Sequence, residues 1–206
     1  MKLVECVPNF SEGRNKDVIN AIADSIKSVD GVSLLGVDPG KNTNRTVMTF
    51  VGSPKVVEEA AFKAIKTASI LIDMSQHHGA HPRMGATDVC PLVPISGVSF
   101  EECIEMSHRL AKRVGDELLI PIYLYEKSAS DLSRSNLADV RFGEYEALPK
   151  KLKSKSWLPD YGPAEFNSKS GATTISKKFL TILLARLEFN FLFKKIIPPN
   201  ALFVSQ

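Results

Sequence analysis

The chain has 206 residues, of which 44% are hydrophobic, 8% aromatic and 24% charged, close to the average for globular domains. That length supports one domain with an appendage, or two small ones, around a core that needs no disulfide staples; it excludes a large multidomain machine. With 26 Lys and Arg against 23 Asp and Glu the net charge is +3, too small and too mixed as far as about Val140 to predict nucleic-acid binding.

Cys6, Cys90 and Cys103 are odd in number, have no CxxC spacing and follow no secretory signal, so a reduced, cytoplasmic protein is expected. The apolar stretch Phe179 to Val204 is interrupted by Arg186, Glu188, Lys194 and Lys195 and broken by Pro198-Pro199. It lacks the roughly 18 to 20 uncharged residues that a membrane span requires.

Leu3 to Val7 reads as a first strand ending at Pro8-Asn9. Asn15 is placed to cap a helix whose apolar stripe is Val18, Ile19, Ile22, Ala23, Ile26 and Val29, with Gly31 as its C-terminal stop. Val32 to Val37 and Arg45 to Val51 read as a hairpin across the polar loop Asp38 to Asn44. Ser53-Pro54 opens a second helix, to about Ile72. Asp73 to Asp88 has no apolar period and is expected to be a loop leading into the strand Val89 to Ile95, where Pro91 and Pro94 suggest an edge or bulged position. Ser99 to Glu102 is a capping box that opens a third helix, followed by a strand at Ile120 to Tyr125.

The order β-α-β-β-α-β-α-β predicts an α/β (α+β) fold, a ferredoxin-like split β-α-β unit extended to a mixed sheet, with helices mainly on one face. Farther on, short helices are expected near Leu137 to Val140 and through Glu144 to Glu146, ending at Pro149. Lys150 to Lys155 reads as a solvated charge run. Trp157 to Gly171 reads as a long loop of the kind that carries function, and a last strand is expected to run to about Ala185.

The densest chemistry lies in His77-His78-Gly79-Ala80-His81-Pro82-Arg83-Met84-Gly85. Zinc ligation by His77 and His81 is disfavoured, because Gly79 and Pro82 oppose the helix that would make the spacing useful. A solvated surface loop and a general acid–base site, with Arg83 beside an imidazole, remain open on spacing alone. Asp38, Asn42, Asn44 and Arg45 cluster around a hairpin tip, where turn formers are ordinary. Backbone amides of Pro8 to Gly13 could meet an anion at a strand-to-helix turn. No GxGxxG, GxxxxGK[ST] or GxSxG is present, and Cys90 before Pro91 reads as a packed thiol.

LVECVPNFSEG (3–13), NTNRTV (42–47), HHGAHPRMGATDVCP (77–91), YLY (123–125), GEYEALPKKL (143–152) and DYGP (160–163) resemble the N-terminal subdomain of glutamate formiminotransferase, also the first part of formiminotransferase-cyclodeaminase. The similarity runs nearly collinearly from Leu3 to about Leu180. It implies transfer of a formimino group between N-formiminoglutamate and N5 of tetrahydrofolate, in one-carbon metabolism and histidine degradation, with His81 as the catalytic acid–base residue and no metal. Asp38, Arg45 and Arg83 are candidates to orient His81 or hold substrate. Folate contacts are implied for Gly162, Pro163, Ala164, Glu165, Phe166, Asn167, Ser168, Lys169, Ser170 and Gly171.

The family's transferase unit has two facing subdomains, and the similarity here reaches only the first. The expected organisation is a subdomain-like unit at 1–180 and a divergent hydrophobic tail at 181–206. Two functions follow: a formimidoyltransferase whose second wall comes from a homo-oligomer or a partner chain, or a catalytically inactive folate-binding or protein-interaction relative.

Overall fold

The structure, a computed structural model, describes residues 1–177. The expected final strand to Ala185, the boundary at 180 and the tail at 181–206 lie outside those residues, or extend beyond them.

Leu3–Cys6 (β1) and Asn9–Phe10 (β2) are two pieces of one strand line, interrupted at Val7-Pro8. Both pair antiparallel with Arg45–Gly52 (β4) on one side and with Thr87–Ser96 (β5) on the other. Ser33–Gly40 (β3) pairs with β4 at the outer edge. On the far side of β5, Thr173–Lys177 (β7) and then Ile122–Leu124 (β6) run parallel to it. The first half is therefore the expected ferredoxin-like unit, and a second crossover adds the parallel strands.

Lys16–Lys27 (α1), Pro54–Leu71 (α2) and Phe100–Leu118 (α3) pack on one face of this sheet. Their apolar stripes, including Ile22, Ile26, Ala60, Ala64, Leu110 and Val114, meet alternate strand residues such as Val4, Cys6, Phe50, Leu92 and Ile175. The other residue parity faces the opposite way. There Leu137–Arg141 (α4) and Glu144–Lys151 (α5) cover the β6–β7 end, burying Tyr123, Tyr125, Val140 and Leu148 in a second, smaller core.

The helix starts follow their capping residues. Asn15 Oδ1 accepts from Asp17 N–H at 3.0 Å, and Ser99 and Glu102 close the capping box at 3.1 and 3.0 Å. Ser53 precedes Pro54 as expected, although its side chain makes no cap bond. Helix α1 stops at Ser28 rather than Gly31, where the Ser28 hydroxyl bonds back to Ser25 O at 2.7 Å.

Three further expectations are corrected. Strand β5 lies in the sheet interior, because Pro91 faces the β1–β2 break, where its missing N–H deprives no partner and its carbonyl accepts from Val7 N–H at 3.3 Å. Pro94 does sit at a register shift, opposite Leu3/Val4. Strand β3 extends through Asp38 and Pro39 to Gly40, since Pro is tolerated on an edge strand, and the loop shrinks to residues 41–44. Helix α5 passes through Pro149 to Lys151, because burial of Leu148, Lys151 and Leu152 outweighs one lost backbone bond.

Lys151 is accordingly not part of a solvated run. Its ammonium donates to Val140 O and lies 4.0 Å from the centre of the Trp157 ring. Burial, seconded by the Arg134 charge, lowers its pKa to about 8 from the ordinary 10.5. Between those values the unfolded chain binds more protons than the folded one, so this group makes stability rise with pH. Urea denaturation from about pH 8 to about 10.5 should show a stability gain relative to Lys151→Met; parallel curves would contradict the buried amine.

Candidate active site

The loops at one end of the sheet are tied together through Asn44. This residue takes a left-handed backbone conformation, φ 48°, which Asn tolerates better than most residues. Its side-chain oxygen accepts from Gly13 N–H at 3.0 Å, its amide donates to His78 O at 3.1 Å, and its main-chain oxygen lies 2.9 Å from His77 Nε2. A Cβ on Gly79 would stand 2.2 Å from Thr43 O, so the histidine loop can lie this close to the hairpin tip only with glycine there.

On the other side the same loop is joined to the segment before β7. Ala86 N–H donates to Ser170 O at 2.9 Å and Ala172 N–H to Met84 O at 3.0 Å. Gly85 and Gly171 face each other in this seam; a Cβ on Gly85 would meet Ala172 O at 2.4 Å. Ser11 closes the third side, its hydroxyl donating to Gly85 O at 2.7 Å and its amide to Ala86 O at 2.9 Å. The turn after β2 offers no free nest for an anion at Arg14 and Asn15, because Glu12 already accepts from both amides at 2.7 and 2.9 Å.

His81 emerges from this scaffold half-buried. Its Nδ1 lies 2.7 Å from Pro82 O, and its Nε2 lies 2.7 Å from Nη1 of Arg45. The carbonyl can only accept and the guanidinium can only donate, so these partners assign the neutral ring with the proton on Nδ1. Arg45 opens β4 on the sheet face opposite α1 to α3, two residues from Val47, which pairs with Asp38. Asp38 is exposed and makes no hydrogen bond to His81, although its charge is felt by Arg45. Burial lowers the Arg45 pKa, with Arg141 acting in the same direction and Asp88 and Asp38 against it.

Arg83 is placed differently. It donates to Glu144 at 2.9 Å and to both oxygens of Glu146 at 2.9 and 2.7 Å, and its Nε contacts His77 Nδ1 at 3.3 Å. Hydrogen bonding to Glu146 raises the Arg83 pKa, and the same bond holds Glu146 low. His77 is pushed down by burial and by Arg83, consistent with a neutral ring donating from Nε2 to Asn44. A cavity of about 440 Å³ lies here, lined by His78, Gly79, Arg83, Gly143, Glu144 and Glu146. With two carboxylates answering one guanidinium, its charge does not favour an anionic ligand.

The segment Gly162 to Gly171 divides. Gly162 stands against Gly115 and Ile120 at the helix-covered end, with Pro163, Ala164 and Glu165 leading away from it. Phe166 lies 5.4 Å from the ring of Tyr145, whose hydroxyl donates to Ser168 O at 2.6 Å. Asn167 caps the turn by accepting from Lys169 and Ser170 amides, and Lys169 O accepts from Met74 N–H. Ser170 Oγ is buried without a partner.

Asp88 and Arg141 complete the floor and were not singled out from the sequence. Asp88 accepts from Met84 N–H at 3.0 Å and pairs with Arg141 of α4. Burial raises the Asp88 pKa against the pull of Arg141 and of the Met84 amide. Asp88 hides in the apolar-looking run TDVCP, where only the fold reveals that α4 returns to meet it. Among the described residues, no group of three or more His, Cys, Asp or Glu is placed to share a metal ion.

These features place His81 against a guanidinium that has no carboxylate partner among the described residues, on the sheet face opposite α1 to α3. The family profile described as Formiminotransferase domain, N-terminal subdomain, matches residues 3–178, and the chain belongs to that family. It is 55% identical over 180 residues to the formimidoyltransferase-cyclodeaminase of Mus musculus, covering 87% of this chain and 33% of the relative. It is 49% identical over 177 residues to the glutamate formimidoyltransferase of Streptococcus pyogenes serotype M1, covering 86% and 59% respectively. The plant formiminotransferase cyclodeaminase-like protein of Arabidopsis thaliana is more distant, at 28% over 185 residues, or 82% of this chain and 62% of the relative. The chain thus spans from a third to about three-fifths of the length of these relatives.

Asn44 supplies a test of the scaffold. Asn44→Gly retains the left-handed backbone but leaves Gly13 N–H and His78 O unpaired, an expected loss of about 1–3 kcal/mol. Asn44→Ala should lose roughly another 1–2 kcal/mol, because a Cβ without the amide disfavours that conformation. Denaturant melts ranking the two variants equal to wild type would remove Asn44 from the centre of the scaffold.

Proposed function

We propose that this chain forms the acid–base half of a formimidoyltransferase site, moving the formimino group between N-formiminoglutamate and N5 of tetrahydrofolate with His81 as proton carrier. The observation that carries the reading is the geometry at His81, whose Nδ1 lies 2.7 Å from Pro82 O and whose Nε2 faces Arg45 at 2.7 Å. Family membership supplies the reaction class.

Attack of N5 on the amidine carbon forms a C–N5 bond and a tetrahedral centre. Collapse breaks the bond to the glutamate nitrogen. The proton lost from N5 must reach that leaving nitrogen, and an imidazole near its working pH can take it from one and deliver it to the other, in either direction. A carboxylate of the glutamate moiety suits Arg45 better than Arg83, whose charge Glu144 and Glu146 already answer. Asp38, near Arg45 on the same face, would guide an incoming amidinium. For folate, Phe166 with Tyr145 offers aromatic surface and Asn167 to Gly171 a fixed backbone, with Ser170 Oγ still lacking a partner. Gly162 to Glu165 would then reach only the ligand's far end. The reduced thiols Cys6, Cys90 and Cys103, all buried, suit a cytoplasmic enzyme of histidine degradation.

The test is calorimetric titration of the full chain with folinate, followed by transferase assay alone and with the family's second subdomain added in trans. Saturable folinate binding near one per chain is expected, together with activity that falls about 10²–10⁴-fold in His81→Ala while folinate still binds. Binding without turnover in any combination would make the chain a folate-binding relative. No heat with millimolar folinate from folded protein would dismiss both.

A further inference from the structure

We propose that Arg45 is a carboxylate receptor wired to the base: in the empty site its guanidinium occupies the lone pair of His81 Nε2, and a substrate carboxylate that captures Arg45 releases that lone pair. The inference rests on His81 being the proton carrier and adds what governs its availability.

The contact specifies the protonation state. With Nδ1–H committed to Pro82 O at 2.7 Å, Nε2 can only accept, and Arg45 Nη1 supplies the donor at 2.7 Å. An imidazolium would turn N–H toward N–H and cation toward cation, so the pair persists only while the ring is neutral. A capped Nε2 cannot take a proton from substrate. Proton transfer therefore requires Arg45 to move its hydrogen bond elsewhere.

Arg45 is suited to do so. Arg83 is held by Glu144 and Glu146, and Arg141 by Asp88, whereas Arg45 has no carboxylate within ion-pair distance among the described residues. Its recorded hydrogen bond goes to a neutral imidazole nitrogen. A carboxylate accepts from guanidinium bidentately and with opposite charge, a stronger bond than a neutral acceptor makes, and partial burial strengthens the preference. Exchange of His81 for an incoming carboxylate is downhill.

The charged groups around the pair leave this logic intact. Asp88 of β5 acts on both His81 and Arg45, while Arg141 of α4 and Asp38 of β3 act on Arg45. Asp88 is already paired with Arg141, and Asp38 lies exposed on the neighbouring strand. The arrangement selects for substrates that carry a carboxylate within reach of Arg45 while the reacting carbon lies at His81. A formimino compound lacking that carboxylate would meet a capped base.

The experiment is imidazole ¹⁵N NMR of the full chain, with His77, His78 and His108 as internal references and glutarate as the carboxylate probe. His81 in wild type should show the Nδ1–H tautomer, and Arg45→Gln should move its unprotonated Nε2 resonance toward that of a nitrogen that accepts no strong hydrogen bond. Saturating glutarate should move the wild-type His81 Nε2 resonance in the same direction, chloride at equal ionic strength should not, and Arg45→Gln should be insensitive to glutarate. Arg45→Lys, which keeps the charge but not the fork, should respond weakly. Equal response of wild type and Arg45→Gln, or no glutarate response in wild type, overturns the proposal. The wild-type titration decides even where the variants fail to fold. Because this readout needs no turnover, an Arg45-dependent shift in an inactive protein would retire the transferase reading and keep the cap. An active enzyme without the shift would do the reverse.

Discussion

Asn44 uses its side-chain oxygen, its side-chain nitrogen and its main-chain carbonyl on three different pieces of chain: Gly13, His78 and His77. Through it the turn after β2, the β3–β4 tip and the histidine loop become one rigid body, and His81 inherits its position from that body. The seam of Met84 to Ala86 with Ser170 to Ala172 supplies the second anchor. Loops hold a side chain to a fraction of an ångström only when their backbone polar groups are paired by the scaffold. Here the pairing is partly backbone to backbone, where glycine permits close approach, and partly through the Asn44 and Ser11 side chains.

Three arginines near the site carry three distinct tasks. Arg83 ties the loop to the start of α5 through two carboxylates, a structural clamp that binds the smaller core to the larger. Arg141 neutralises Asp88, whose other oxygen holds the Met84 amide, so this buried pair orders the backbone just after Arg83. A buried pair of this kind does more to fix geometry than to add stability, since desolvation cancels much of the attraction. Arg45 alone of the three lacks a carboxylate. Equal charges thus divide into carboxylate-paired and unpaired ones according to what already answers them, a distinction that the residue type does not carry.

Much of the fold was legible because local signals agreed with the global pattern. The apolar stripes of α1 to α3, the Asn15 cap and the Ser99–Glu102 box are all short-range codes, and each marked a helix start that the structure has. The strand and helix limits at prolines diverge from the local signal for one reason. Pro91, Pro39 and Pro149 read locally as breakers, while their tolerance depends on partners distant in sequence: the gap at Val7-Pro8, the edge position of β3, and the core beneath Leu148. The same limit governed the site. His81 stood out by motif, but its contact with Arg45 crosses 36 positions and that of Asp88 with Arg141 crosses 53, and nothing periodic connects them. Lys151 likewise reads as one of several surface lysines until Trp157 and Val140 O are seen around it.

The placement of the two groups of helices explains why the polar side chains gather where they do. Helices α1 to α3 pack their apolar stripes against one face of the sheet. On the opposite face α4 and α5 cover the β6–β7 end, and their first turns and termini deliver Arg141, Glu144 and Glu146 to the margin of that cover. Arg45, Asp38 and Asn9 share the outward parity of β4, β3 and β2 next to that margin. A period of two along the strands separates this polar set from Met48 and Phe50, which point into the helical core. The alternation that builds the core therefore also sets the spacing of the polar face, and a one-residue slip of β4 would turn Arg45 inward and leave His81 Nε2 uncapped.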